Sequence, residues 1–148
     1  MKRGIMFLVL VVLVASCALL PKFPSVCDTL TEKSYLCDVS RKYDVRLEDV
    51  GAGLIIANAI AIERKVYTRE EAIRVMKEIR SLLADDLITY AAFKTGIYER
   101  MDRYPGLLQV ATAYVSDLGA LKQRMFPVDR KLLSEWLGQQ IDLLGGGK

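Results

Sequence analysis

The sequence predicts an all-α fold, a compact bundle of five or six helices, and three observations carry that prediction. Apolar residues recur at three- and four-residue spacing in segment after segment, the period of a helix with one buried side. Stop signals such as Tyr104-Pro105-Gly106 and Phe126-Pro127 cut the later part of the chain into helix-length pieces. Beyond the N-terminal apolar run, no segment sustains an apolar–polar alternation rich in β-branched residues, so no strand is predicted.

The first element stands outside that bundle. Met1-Lys2-Arg3 places positive charge ahead of Gly4, and residues 5–14 are an unbroken apolar run closed by the small pair Ala15-Ser16. A charged start, a short apolar core and a small-residue exit are the three parts of a secretory signal. The run falls short of the roughly 20 residues a membrane span needs, although extension through Leu20 would make a marginal anchor. Val14-Ala15-Ser16-Cys17 decides between these readings. It resembles the lipobox of bacterial lipoproteins: an aliphatic residue, two small residues, then cysteine. The resemblance implies a diacylglyceryl group on the Cys17 thiol, cleavage before Cys17 and, in many bacteria, an acyl chain such as palmitate on the freed amine. Two or three acyl chains hold a protein to a membrane where one holds it only marginally. The implied address is the bacterial cell envelope. Ala18 resembles lipoproteins sent to the periplasmic face of the outer membrane in cells with two membranes.

The chain then divides into a signal peptide (1–16), a lipidated tether (17–25) extended by Pro21 and Pro24, a helical domain (26–144) and a flexible tail (145–148). Removal of the signal leaves 132 residues, enough for one domain with a real core, with 19 Lys+Arg against 18 Asp+Glu. No block of like charge remains, so no nucleic-acid partner is expected. With Cys17 carrying lipid, Cys27 and Cys37 form an even pair in an oxidising compartment, and a disulfide between them is expected. On one continuous helix they would lie about 15 Å apart, so the chain must bend between them. Thr29-Leu30-Thr31-Glu32 has capping-box spacing, which would start a helix at Thr29 and leave Cys27 outside it.

The helices follow in order. The first runs to about Tyr43, with Leu36, Val39 and Tyr43 on its apolar side, and Asp44 caps a second beginning near Leu47. From Val50 to Ile62 that second helix has one polar residue, Asn58, and a helix apolar all round is expected to be buried all round. It is therefore read as the central core helix, with Asn58 a buried amide bonded internally or, alternatively, a polar anchor in a ligand pocket. Thr68-Arg69-Glu70-Glu71 is a capping box opening a third helix, with Arg74 on its solvated face. Asp85-Asp86 is expected to cap a fourth, to Arg103, burying Ile88, Ala91, Ala92, Thr95 and Tyr98. A fifth spans Leu107 to Met125, and Asp129 caps a sixth whose stripe includes Leu133, Trp136, Leu137, Gln140 and Ile141.

Chemistry-bearing motifs are few. The chain has no histidine, which removes Ser-His-Asp and Cys-His catalysis and the usual zinc sites. No phosphate-cradling glycine loop or calcium loop is present, so no metal or cofactor is expected. Carboxylate chemistry on cell-wall glycans remains open, and Glu99 and Asp102, one helical turn apart beside Tyr98 and Tyr104, are the carboxylates to test. Tyr90, Tyr98, Tyr104 and Tyr114 could line a sugar or peptide groove. Residues 36–50, with Lys42-Tyr43-Asp44-Val45 between two helices, resemble the helical stretch of LysM peptidoglycan-binding modules. The flanking strands of that family have no counterpart in the sequence. The expectation is a lipid-anchored envelope protein with a non-catalytic binding, scaffold or assembly-factor role and a protein or cell-wall partner. The alternatives are a carboxylate enzyme or a carrier with an apolar cavity beside residues 54–62.

Overall fold

The computed structural model describes residues 24–102 and 121–147, and these form six helices with no strand among them. They are α1 (Val26–Thr29), α2 (Tyr35–Tyr43), α3 (Leu47–Glu63), α4 (Arg69–Leu82), α5 (Tyr90–Met101) and α6 (Pro127–Leu143).

Helix starts follow side-chain oxygens placed to receive the first free amides. Ser25 opens α1 in a capping box with Asp28, and Ser34 opens α2 by accepting from the Cys37 amide. The predicted start at Thr29 is thus wrong. Leu30 turns extended and breaks the helix, leaving Thr29 as the last residue of α1. The bend between α1 and α2 brings Cys27 and Cys37 to a Cα–Cα distance of 5.3 Å, and they are joined by a disulfide, as expected. Asp44 adopts a left-handed conformation (φ 50°) and closes α2, so it does not cap α3, whose start at Arg46 has no side-chain cap. Thr68 and Glu71 form the predicted capping box of α4.

The α5 start also moves. Asp85 is spent in a turn, accepting from the Leu87 amide at 2.9 Å, and Thr89 caps α5. The later start rotates the buried side onto Tyr90, Phe93 and Ile97, leaving Ala92 and Thr95 exposed. Most of the predicted fifth helix lies outside the described residues, but its last part is corrected. The 121–125 segment is not helical. Its Leu121 and Gln123 carbonyls accept from the Ala91 and Tyr90 amides, and the Met125 amide donates to Ile88. The first free amides of α5 are what hold this segment in place.

The core centres on α4, which lies between α5 and α6. Val75, Met76 and Ile79 of α4 meet Phe93 and Ile97 of α5 and Leu137 and Ile141 of α6. Helix α3 contributes a single buried residue, Ala61, to that core. The expectation of a central, fully buried second helix is therefore overturned. Among the described residues, the main neighbours of α3 are α2 and α6, and Ile56 and Ile60 on its other side are exposed. Close approach to α6 depends on Gly51, where a Cβ would collide with the Trp136 indole nitrogen, and Gln140 donates to the Gly51 carbonyl at 3.3 Å. Gly145, at φ 85°, closes α6 through the Gly146 amide to Ile141 and the Gly145 amide to Asp142.

Candidate functional site

Positions along α3 divide into two sides. Gly51, Asn58 and Ala61 face inward. Ala52, Ile56, Ala59 and Ile60 face outward, with Ile56 61% and Ile60 46% exposed. Carboxylates of Glu48 and Asp49 bound this apolar strip at the N-terminal end, and Glu63, Arg64 and Lys65 bound it at the other. An apolar strip exposed on one side of a helix is the kind of surface at which interaction sites are found in other proteins.

The acidic end of α3 is tied to the root of the N-terminal segment. Glu48 accepts from the Val26 amide at 2.8 Å and from the Ser25 hydroxyl at 3.2 Å, and Arg46 lies 3.7 Å away. Partial burial pushes the Glu48 carboxyl up. The hydrogen bonds from Val26, its own amide and Ser25, with the Arg46 charge, outweigh that and hold it below the usual range. Arg41 donates to the Cys27 carbonyl at 2.8 Å, so the disulfide-linked end is bound from two sides.

Asn58 is fully buried and accepts from the Tyr67 hydroxyl at 2.7 Å, which is the internal bond anticipated as one of its two roles. Burial raises the Tyr67 hydroxyl to about 12. A second buried polar cluster was not foreseen. Asp129, predicted to cap α6, is the third residue of that helix and turns away from it. Its carboxylate accepts from the Ser34 hydroxyl at 2.5 Å, the Tyr35 amide at 3.0 Å and the Tyr90 hydroxyl. It thereby caps α2 from 94 residues away in sequence. Tyr90 accepts in turn from the Phe126 amide at 3.2 Å. Burial, then the hydrogen bond to Asp129, raise the Tyr90 hydroxyl. All of this is scaffold; it ties α2, α5 and α6 together.

Among the described residues, the candidate carboxylates line neither of the open depressions along α4 and under the disulfide. Glu99 and Asp102 are both exposed near the end of α5, and Arg100 between them is drawn to the Gly96 carbonyl and Glu78. Tyr90 is buried in the core and lines no groove, while Tyr104 and Tyr114 lie outside the described residues. Cys17 and the lipobox also lie outside them. One open depression runs along α4 past Glu70, Arg74 and Glu78, and another lies under the disulfide beside Pro24, Ser40 and Arg46. Neither touches residues 54–62. Among the described residues, no group of three or more Cys, Asp or Glu is placed to hold a metal, and no helix is long and apolar enough to cross a membrane.

The outward strip of α3 was legible in the sequence as composition and illegible as exposure. A run of apolar residues reports what a helix would bury, and the number of neighbours decides what it does bury. Searches of protein-family models, of curated proteins and of solved structures return no match to this chain.

Proposed function

We propose that the chain is a lipid-anchored protein of the bacterial envelope with a non-catalytic role, holding or organising another envelope component through the outward side of α3. The observation that carries the binding role is the exposed strip of Ala52, Ile56, Ala59 and Ile60 on a helix otherwise seated against the fold. The lipobox resemblance at Cys17 supplies the anchor. Glu48 gives the two a common location, because it binds the root of the tether to the start of α3.

Two measurements test this reading. Intact-mass analysis of full-length protein from membranes should show acyl mass on a chain beginning at Cys17, and Cys17→Ser should accumulate as unprocessed precursor. Normal processing without acyl mass would remove the anchor. Affinity purification of the acylated protein, set against Ile56→Asp, should recover bound protein or cell-wall material with the wild type and lose it with the variant. Identical recovery from both would remove α3 as the binding surface.

A further inference from the structure

The outward residues along α3 carry a pattern that is complementary to its own reverse. Glu48, Ala52, Ile56, Ile60 and Arg64 are spaced by four, so they form one continuous ridge, and all five are exposed. Turned end for end and laid on itself about Ile56, the ridge sets Ala52 opposite Ile60, Ile56 opposite Ile56 and Ile60 opposite Ala52. Small meets large at both flanks, which lets two helices approach. The ends also match. Arg46, Glu48 and Asp49 sum to one negative charge at one end, while Glu63, Arg64 and Lys65 sum to one positive charge at the other. Glu48 is already held by Arg46 and the Val26 amide, and Asp49 is left exposed. An antiparallel arrangement brings acid to base twice and opposes the two helix dipoles favourably. A parallel one would bring acid to acid.

We propose that the partner this surface fits is a second copy of the chain, docked antiparallel along α3 with the two-fold axis at Ile56. This rests on the reading of α3 as a binding surface and narrows its occupant to a second copy of the chain, in place of a different envelope component. A two-fold interface needs a surface complementary to itself, and this ridge has that property in both size and charge. Acidic residues at the strip's N-terminal end argue against the other apolar occupant, an anionic lipid surface. Membrane anchoring, where it holds, confines copies to a plane and raises their effective concentration, so a single-helix contact suffices.

Single cysteines in the full-length chain, oxidised in intact membranes, test the arrangement. Ile56→Cys should give a dimer of twice the chain mass, at least ten-fold more than Arg74→Cys on the exposed side of α4. Ala52→Cys and Ile60→Cys should each cross-link weakly alone and strongly when the two variants are co-expressed with different tags. Equal yields from Ile56→Cys and Arg74→Cys overturn the proposal. So does an Ala52→Cys self-dimer as strong as that of Ile56→Cys, which would mean a parallel pair. A product joining Ile56→Cys only to a different protein also overturns it, while leaving α3 as the binding surface. Wild type run alongside separates the anchor from the dimer, because a wild-type cross-link through Cys17 reports an unlipidated thiol.

Discussion

At the scale of single residues, Asp129 joins α2, α5 and α6 through one side chain. Its carboxylate is fully buried and receives the Ser34 hydroxyl, the Tyr35 amide and the Tyr90 hydroxyl. Hydrogen bonds to a charged acceptor contribute about 1.5–3 kcal/mol each, and donors stranded by its loss stay buried. Asp129→Ala should therefore cost about 3 kcal/mol or more in denaturant unfolding, while Asp86→Ala on the exposed turn should stay within about 0.5 kcal/mol of wild type. Tyr67 and Tyr90 set an alkaline limit. Each hydroxyl has an ordinary value of 10.0 when unfolded and is raised in the fold, Tyr67 to about 12. A raised folded value means the neutral form is preferred in the fold. The stability these residues contribute is complete below pH 10 and falls as pH rises toward 12. Unfolding free energies measured from pH 9 to 12 should decline above 10, and Tyr67→Phe should lessen the decline. The sequence showed Asn58 as a buried amide but could not show Asp129 as the cap of α2. Capping patterns are read over three or four residues, and this one closes over 94.

At the scale of elements, local signals were accurate where the cap lies beside its helix. Thr68 and Glu71 are three residues apart, and α4 begins where they place it. Asp44, Asp85 and Asp129 are equally good caps by composition, yet each is used elsewhere: in closing α2, in a turn, and across the core. A cap residue states that an amide will be satisfied, not which one. Helix α3 shows the same gap for burial. Its composition fits a core helix, but among the described residues α2 and α6 are its main neighbours and Ile56 and Ile60 stay exposed. Ile56→Asp, which a buried helix would not survive, should keep the wild-type melting temperature within a few degrees. Ala61→Asp, which puts a charge into the core where α3 meets it, should cost several kcal/mol and unfold a domain of ordinary stability. Thermal melts of the two variants distinguish the sides of the helix directly. Equal loss from both would mean that the outward strip is covered.

For the whole molecule, the all-α class was readable because helix period and the absence of alternation both hold over most of the chain. The layout was not readable, since which helix sits in the middle is decided by contacts between α4, α5 and α6 that no local pattern contains. The Cys27–Cys37 bond, expected from cysteine count and compartment, has a mechanical meaning beyond its contribution to stability. Any tension arriving from the N-terminal side of Ser25 reaches Cys27 within two residues and crosses to Cys37 through sulfur. Residues 28–36 therefore hang as a slack loop outside the line of force, and Ser34 and Tyr35, which hold Asp129, sit in that slack. Pulled by its N-terminus, the chain should load α2 and α3 while this polar junction stays unstrained. Single-molecule extension should lengthen by about 30 Å when the bond is reduced first, the reach of the ten-residue loop less its closed span. The bond acts as a bypass, shielding the junction between α2 and α6 from whatever pulls on the N-terminal segment.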